Sequence, residues 1–505
     1  MKRVLLHSAI ALVLTANQSL AQDCVRVIGT ESAGTAVTMD PAFNTLNDDA
    51  YQQNLVYNRL VQVTSDFQPI PGIAKSWSVS EDGKVWTFLL EQGVTFHDGK
   101  PLTAKDVIWS FKRLIDPAVG SPAAGLLGFL TADGIVAVDD FTVQITTAEP
   151  VAELPLLISN KYMAIVQDGA TSEVLKSKAM GTGPFMQDVY DLAQDSRIFK
   201  RNPNYWRAGL PKAECIDLKV ITEEVSRIAA IQSGSVDLIV QAGPATVTTL
   251  GGDARVELVV SKSAGGYINL SMQTDQPPFD DVRVRQAMKA VVDRQLVVDT
   301  VLLGNGLVGN DNPVAPTNPL AFTDQAIPRD VEKAKALLAE AGFPDGIDVD
   351  LNTAEAGPGY VLIAQIYQQM AAEAGIRVNI VNNPADTYWD AVWMKTPFFV
   401  SSWGGRSVPE ALAYTFLSDA EYNEGNWKNP EYDALVLASR TEVDPVKRVE
   451  MQKRAQEILT AEGGLIIPAF LSDVAALRAG CTGFQPQPSA ALFNYEDLAC
   501  ADRAQ

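Results

Sequence analysis

The sequence repeats one unit several times: a helical segment, a glycine that ends it, and a short apolar strand. Residues 223–233 carry apolar side chains at near-helical spacing, Gly234 follows, and 236–240 form an apolar run. The stretches 330–351 and 360–380 have the same order. Alternation of helix and strand predicts an α/β architecture with largely parallel sheets, because each helix carries the chain back to begin the next strand in the same direction.

Residues 77–100 follow a different pattern, in which short alternating runs are separated by turn residues. Turn signals at 81–84 and 98–99 predict a small antiparallel sheet here. Thr103 lies three residues before Asp106, as in a capping box, and predicts the start of a helix. Other helical patterns cover residues 282–303 and 431–462.

The chain has 505 residues, more than a single hydrophobic core usually holds, so two or three domains are expected. Its formal net charge is −21. An acidic surface repels phosphate groups, and we therefore expect neither nucleic acid nor an anionic membrane surface as a partner. The sequence has no long low-complexity linker, so short crossovers are expected to join the domains.

The first 21 residues have the order of a secretory signal peptide. Lys2 and Arg3 precede an apolar run over 4–16, and Ser19 and Ala21 are the small residues expected before a cleavage site. An uncleaved membrane anchor is the alternative, but the run is shorter than the roughly 20 residues that span a bilayer. We expect cleavage after Ala21 and a soluble, exported protein.

Four cysteines follow the predicted cleavage site, namely Cys24, Cys215, Cys481 and Cys500. In an oxidising compartment an even number of cysteines indicates disulfides, and four of them allow three pairings. The short loop between Cys481 and Cys500 favours a bond between these two. Buried free thiols are the alternative.

The sequence contains two histidines, His7 and His97, and only His97 follows the predicted cleavage site. Ser–His–Asp and Cys–His catalysis need a histidine base, and zinc sites usually draw on several His or Cys ligands, so neither is expected. A G-x-G-x-x-G match at 304–309 follows a helical run, whereas a dinucleotide site needs a strand there, and we interpret it as a loop. Carboxylate pairs are weak evidence for a glycosidase. We expect no enzyme, no cofactor and no metal, but a protein that captures a solute between domains.

A long pattern covers residues 69–107. It comprises Pro69-Ile-Pro-Gly-Ile-Ala-Lys-Ser-Trp77, Glu81-Asp-Gly-Lys-Val-Trp-Thr-Phe88 and Gly93-Val-Thr-Phe-His-Asp-Gly-Lys-Pro-Leu-Thr-Ala-Lys-Asp-Val107. The pattern resembles the signature of family 5 solute-binding proteins, the extracytoplasmic dipeptide-, oligopeptide-, opine- and nickel-binding components of ABC importers. Shorter matches extend the resemblance over nearly the whole chain, at 181–185, 201–206, 232–237, 282–287 and 339–344.

The resemblance implies an α/β, two-lobed periplasmic-binding-protein-like (clam-shell) fold with three domains and mixed sheets. The implied divisions are a discontinuous domain I at 22–61, 179–268 and 474–505, domain II at 62–178, and domain III at 269–473. In such a fold the strands that begin at Cys24 and Cys215 are neighbours, which implies a disulfide between them. We interpret Trp77 and Trp86 as core residues of domain II, with ligand contact as the alternative, and His97 as a turn residue with local hydrogen bonds.

Ligand-binding residues of this family come from the first loop, a crossover strand and a Trp-Gly segment of domain III. The matching positions in this chain are Glu31, Ser32, Gly34, Gly266, Tyr267, Asn269, Trp403, Gly404, Gly405 and Arg406. Trp403 either stacks on the ligand or only packs within the lobe. Gly404 and Gly405 would let the backbone approach the ligand closely.

Arg406 departs from the family pattern, because peptide binders usually carry an aspartate after Trp-x-Gly that pairs with the ammonium group of the peptide. A buried cation and a buried anion select ligands of opposite charge. Either Arg406 holds an anionic group of the ligand through its forked guanidinium, or it pairs with an acid such as Glu410 for structural reasons. If a free amine still binds, Glu31 is the candidate counter-charge.

From the resemblance we expect a periplasmic, monomeric substrate-binding component of an ABC importer. It would capture a peptide or similar small organic solute between its lobes and deliver it to the permease subunits. Alternatives within the family are an opine, oligosaccharide or metal-chelate receptor, and the single remaining histidine disfavours nickel. A secreted hydrolase of peptides or glycans is the alternative from another class.

Overall fold

The computed structural model describes residues 24–30, 37–323, 327–357, 359–489 and 492–501, the side chains of 262–264 excepted. The predicted signal peptide, 1–21, lies outside them. Over the described residues the chain forms a mixed sheet of eleven strands, a four-stranded antiparallel sheet and two small two-stranded sheets, with helices packed around them. The predicted α/β class with mixed sheets is confirmed.

The strands, in chain order, are β1 Val25–Gly29, β2 Val61–Val63, β3 Pro69–Pro71, β4 Ala74–Val79, β5 Val85–Leu90, β6 Ile135–Asp139, β7 Thr142–Thr146, β8 Phe185–Asp191, β9 Ser196–Arg201, β10 Cys215–Val220, β11 Leu238–Ile239, β12 Val256–Met272, β13 Gly306–Val308, β14 Ile347–Thr353, β15 Ile376–Asn382, β16 Phe398–Trp403, β17 Leu465–Arg478, β18 Cys481–Thr482 and β19 Ala499–Cys500. The α-helices are α1 Asn47–Val56, α2 Ala104–Ile115, α3 Ala123–Leu126, α4 Leu154–Leu157, α5 Ser172–Leu175, α6 Glu224–Gln232, α7 Pro244–Leu250, α8 Val282–Ala290, α9 Arg294–Val301, α10 Val331–Glu340, α11 Tyr360–Ala372, α12 Tyr388–Ala391, α13 Val408–Tyr414, α14 Pro430–Thr441 and α15 Pro445–Glu462.

The first lobe is built around β1. This strand pairs in parallel with β10 on one side and β11 on the other, and β9 and β8 add an antiparallel edge. Val27 of β1 lies between Leu218 and Leu238 and is fully buried, as expected for a strand covered on both faces. The strand predicted at 236–240 is shorter than expected, because the chain bends on both sides of Leu238–Ile239.

Two disulfides join the four cysteines, and all four contribute to the packing of the first lobe. The parallel register pairs Val25 with Ile216, which sets Cys24 beside Cys215 with their Cα atoms 4.6 Å apart. Cys481 and Cys500 face each other in the β18–β19 pair, with Cα atoms 4.0 Å apart. The structure therefore contains both of the predicted pairings.

The second lobe contains the parallel strands β14, β15 and β16, in the order β15-β14-β16. The units predicted at 330–351 and 360–380 are confirmed as α10–β14 and α11–β15. Each of the helical patterns 282–303 and 431–462 divides into two helices, because the side chains of Asp293 and Asp444 cap a new helix within it.

The four-stranded antiparallel sheet has the order β4-β5-β7-β6, and α2 packs against it through the shared core. The antiparallel sheet predicted around 77–100 is thereby confirmed for β4 and β5. The predicted capping box is also present, since the Thr103 backbone N–H donates to Asp106 Oδ2 at 2.8 Å. Trp86 is 6 % exposed in this core and Trp77 packs against it, as predicted.

His97 differs from the prediction of local hydrogen bonds. Its Nε2 lies 3.1 Å from the carbonyl oxygen of Gly183, and its backbone N–H donates to the carbonyl of Gly181 at 3.0 Å. Burial lowers the pKa of the imidazole and favours its neutral form. His97 therefore fastens the four-stranded sheet to the chain that leads into β8 of the first lobe.

Two long strands, β12 and β17, pair antiparallel with each other and run through both lobes. At one end β17 contacts β11 of the first lobe, and at the other end the pair contacts β16 and β13 of the second. The register shifts between Val260 and Ala264 and again before Gly266, which marks the crossing point. The segment 304–309 was predicted as a loop, and this is wrong for Gly306–Val308, which pair with the open edge of β17.

The lobes also touch away from the crossing strands. The Ala152 backbone N–H donates to the carbonyl of Arg440 at 3.0 Å, and Glu153 Oε1 lies 3.6 Å from Arg448 Nε. Gln452 Nε2 donates to Glu153 Oε2 at 3.4 Å. The chain following the four-stranded sheet thus rests on helices α14 and α15 of the second lobe. Of the helices described, none is both long and apolar enough to cross a membrane.

Candidate ligand-binding site

The carboxyl ends of the parallel strands in the two lobes face each other. β12 runs from the first lobe to the second in the same direction as β1, whereas β16 runs antiparallel to β12. The chain after β1 and β11 therefore points toward the second lobe, and the chain after β14, β15 and β16 points toward the first. Ligands of open α/β sheets bind at such edges, which makes the space between the lobes the candidate site.

On the side of the first lobe, Thr30 follows β1 and Gln241 follows β11. The Thr30 hydroxyl donates to Gln241 Oε1 at 3.1 Å, and the Tyr51 hydroxyl donates to the same oxygen at 3.0 Å. This triad holds the chain where the first loop begins. The ligand residues predicted in that loop, Glu31, Ser32 and Gly34, lie outside the described residues.

Gly265 and Gly405 lie where the two lobes come together. A Cβ atom on Gly405 would lie 2.8 Å from the Cβ of Pro488 and 2.9 Å from the Cα of Gly265. Only glycine allows so close an approach. A Cβ atom on Gly404 would meet nothing within 4 Å, so the space beside that residue is open to an incoming molecule.

Arg406 lies at the end of this segment, between two aromatic rings. The centre of its guanidinium is 4.9 Å from the Trp403 ring and 4.7 Å from the Tyr414 ring, within the range of cation–π attraction. Its Nη1 donates to the carbonyl of Gly404 at 3.0 Å, and its Nε lies 3.7 Å from Glu410 Oε1. Glu410, the structural partner expected from the sequence, is therefore beside Arg406. The outer edge of the guanidinium makes no hydrogen bond to any described residue.

Arg406 also lines a cavity of about 130 Å³ between the lobes. Residues 65–67, which follow β2, form one wall, and the stretch 313–319 forms the wall on the second lobe. Neither wall was predicted from the sequence. Clustered prolines and asparagines at 310–319 are typical of a loop, but only the fold brings that loop to Arg406.

The predicted residues of the crossing strand do not line this cavity. Tyr267 is 3 % exposed and packs edge-on against Phe470, with ring centroids 6.0 Å apart, and burial raises the pKa of its hydroxyl. Asn269 is fully buried inside the second lobe. Gly266 adjoins the Trp403 backbone, since a Cβ atom there would lie 2.9 Å from the Trp403 carbonyl oxygen. Ligand contact by Tyr267 and Asn269 stays a prediction from the family resemblance.

A buried carboxyl group, Glu424, supports the site from behind. Its Oε2 accepts hydrogen bonds from Asn269 Nδ2 at 2.9 Å and from the Ser271 hydroxyl at 2.8 Å. Its Oε1 accepts from Trp393 Nε1 at 2.5 Å and from the Ser401 hydroxyl at 2.6 Å. Glu424 is 1 % exposed and connects β12, β16 and the chain after β15. This role of Glu424 could not be predicted from the sequence, because its hydrogen-bond partners come from three separate segments.

Among the described residues, the Asp237 carboxylate and the sulfurs of Cys481 and Cys500 form a group within 4.8 Å. Both sulfurs belong to a disulfide, and Asp237 already receives hydrogen bonds from Arg26 and Arg478. This group therefore does not offer the free thiolates that a zinc ion would need.

Asp473 lies in β17 at the crossing point, where its backbone N–H donates to the Ser261 hydroxyl at 2.9 Å. Burial raises the pKa of its carboxyl group to about 7. In the unfolded chain this pKa is about 3.9, so the folded state holds the proton to higher pH. The stability that the protonated group contributes is therefore complete below about pH 4 and falls as the pH rises toward 7.

We expect Asp473→Asn to be more stable than the wild type at pH 8, by roughly 1–3 kcal/mol, and similar to it at pH 4. Urea unfolding at pH 4, 6 and 8 measures this difference. Asp386→Asn, which removes an exposed acid, serves as the control and should follow the wild type at every pH. Parallel pH profiles for Asp473→Asn and the wild type would contradict the assignment.

Comparisons with known proteins agree with this arrangement. The sequence profile described as bacterial extracellular solute-binding proteins, family 5, middle region, matches residues 68–424. The chain is 29 % identical over 470 residues to heme-binding protein A of Haemophilus influenzae, covering 86 % of this chain and 85 % of that protein. It is 29 % identical over 476 residues to the dipeptide-binding protein of Escherichia coli, with 86 % and 87 % covered. The structure of HbpA2 from Haemophilus parasuis superposes with a TM-score of 0.80 at 23 % identity, over 94 % of this chain and 99 % of that one, which confirms the two-lobed fold.

Proposed function

The chain belongs to the family 5 bacterial extracellular solute-binding proteins, and on this basis we propose that it is the substrate-binding component of an ABC importer. It acts in the periplasm, captures a peptide or similar small organic solute between its lobes, and delivers it unchanged to the permease. The relatives described above are named for binding heme and dipeptides. The ligand presents an anionic group to Arg406, in place of the ammonium group that an aspartate at this position would bind.

The observation that carries this proposal is the pair of facing strand edges joined by β12 and β17. Closure about such a connection can enclose a ligand from both sides. The register shifts at 260–266 place the irregular backbone between the lobes, where a change of angle has to be absorbed. We propose the division into domains at 22–61 with 179–268 and 474–505, 62–178, and 269–473 as the moving parts.

The test is to identify the solute that the protein carries. Purified without denaturation, it should release a small organic solute when unfolded, as detected by mass spectrometry. Adding that solute back should raise the melting temperature, because a ligand that binds only the folded state stabilises it by mass action. Small-angle scattering should show a smaller radius of gyration with the solute bound. Chemical conversion of the solute, or solute binding without any compaction, would contradict the proposal.

A charge reversal at the second contact between the lobes provides a control for closure. Glu153→Lys places a lysine beside Arg448, and repulsion in the closed state should weaken solute affinity by about 10-fold or more, equivalent to about 1.4 kcal/mol. Glu149→Lys makes the same change of charge at a side chain that is 82 % exposed, and should leave affinity unchanged. Equal affinities for the two variants would show that the Glu153 contact does not belong to the ligand-bound state.

A further inference from the structure

A continuous row of aromatic rings extends from Arg406 along the second lobe. Tyr414 stacks on Tyr422 with ring centroids 4.9 Å apart, and Tyr422 stacks on Trp393 at 6.0 Å. Trp393 in turn meets Trp389 edge-on at 5.8 Å. Together with Trp403, which contacts Trp393, Tyr414 and Tyr422, these five residues are called the aromatic shelf.

The elements that carry the aromatic shelf place it at the ligand-facing edge. Trp389 and Trp393 follow the carboxyl end of β15, and Trp403 is the last residue of β16. Tyr414 ends α13, the helix that begins two residues after Arg406. Because the carboxyl ends of the parallel strands point toward the first lobe, the shelf continues the cleft outward from the Arg406 cavity.

Hydrogen bonds and packing fix the aromatic shelf before any ligand arrives. The Trp393 indole N–H donates to Glu424. Tyr388, the residue before Trp389 in the chain, donates its hydroxyl to the carbonyl of Val400 at 2.7 Å. The Trp403 indole N–H is buried and donates to none of the described residues. Rigid aromatic surfaces bind ligands at little cost in side-chain entropy.

The rings at the two ends of this row are open to solvent. Trp389 is 44 % exposed and Tyr414 is 36 % exposed, while the remaining rings are partly buried behind them. The two open rings and the partly buried rings between them form one contiguous apolar surface, and a contiguous exposed apolar surface on a soluble protein marks a binding site. Two ionisable groups touch this row: the buried Glu424 carboxyl group accepts from the Trp393 indole N–H, and the Arg406 guanidinium, which lines the cavity, lies against Tyr414 and Trp403.

We propose that the aromatic shelf is the subsite for a planar, conjugated part of the ligand, such as an aromatic amino-acid side chain. Arg406 then holds an anionic group next to that ring. The proposal rests on the proposed solute-binding function and names its substrate class: aromatic peptides and aryl acids, in preference to aliphatic or cationic solutes. Ring–ring contact is worth about 0.5–1.5 kcal/mol beyond the burial of apolar area.

Calorimetry with three dipeptides, Ala-Leu, Ala-Phe and Ala-Trp, tests this inference. The wild type should bind Ala-Phe and Ala-Trp about 3- to 10-fold more tightly than Ala-Leu, which is similarly apolar but not planar. Trp389→Ala and Tyr414→Ala should each reduce that preference, and Trp389→Phe should retain it. Val225→Ala removes apolar surface at a residue that is 75 % exposed on α6 of the first lobe, and should change nothing.

Equal affinities for the three dipeptides in the wild type would overturn the inference and leave the solute-binding function intact. A preference for the aromatic dipeptides that survives both alanine variants would also overturn it, since the selectivity would then lie elsewhere. If none of the dipeptides binds, the same variants are measured with the solute released from the purified protein, and a solute without a conjugated group overturns the inference. A protein that carries and binds no solute at all would instead overturn the proposed function.

Discussion

Arg406→Ala should lower the affinity for an anionic solute by about 10- to 100-fold, since a hydrogen bond to a charged group is worth about 1.5–3 kcal/mol. The guanidinium is already oriented by Trp403, Tyr414 and the carbonyl of Gly404, so its free edge is aimed before the ligand binds. The side chain is only partly buried and lies beside the cavity, so the fold should persist. Calorimetry with a dipeptide and with its C-terminal amide separates the contribution of the carboxylate from that of the rest of the ligand.

The wild type should prefer the free acid to the amide, and Arg406→Ala should lose that preference. Arg406→Lys keeps the charge but lacks the fork and the stacking, and should recover only part of it. Glu410→Gln removes the structural partner alone and should leave the preference in place. If Glu410→Gln reproduces the effect of Arg406→Ala, the arginine acts through that pair and not on the ligand.

Glu424→Ala should lower the free energy of unfolding by about 3–5 kcal/mol, the range found when one partner of a buried charged group is removed. The substitution leaves four donors, from Asn269, Ser271, Trp393 and Ser401, without their acceptor inside the second lobe. Each buried polar group without a partner carries a desolvation penalty. Urea denaturation measures the loss as a shift of the midpoint at an unchanged slope.

Two further variants separate this network from a general effect of losing an acid. Glu421→Ala removes an exposed carboxylate three residues earlier and should leave stability within about 0.5 kcal/mol of the wild type. Glu424→Gln keeps the volume and one acceptor oxygen, so its stability should fall between those of the wild type and Glu424→Ala. A Glu424→Ala protein as stable as Glu421→Ala would show that the network contributes little.

The local parts of the fold could be predicted from sequence because their causes are local. Helical spacing followed by a glycine identified α10 with β14 and α11 with β15, and the Thr103–Asp106 pair marked the start of α2. The pairing of β1 with β10, and with it the Cys24–Cys215 disulfide, followed from the family resemblance. Periodicity alone does not specify which strands become neighbours.

The remaining features depend on contacts between distant segments. The partner of His97 is Gly183, and β13 forms because β17 has an open edge beside it. The side chains of Tyr267 and Asn269 face the interior of the second lobe, an orientation that depends on the shifts of register in β12. The aromatic shelf could not be predicted for the same reason, since its five rings come from four separate stretches of chain.

The pairing of β12 with β17 on both sides of the crossing point has a mechanical consequence. The same two strands are hydrogen-bonded within each lobe, so any movement of one lobe relative to the other has to bend or twist the short irregular stretch between Val260 and Gly266. Because pairing on both sides of the crossing point ties both strands to each lobe, the range of angles between the lobes should be narrow.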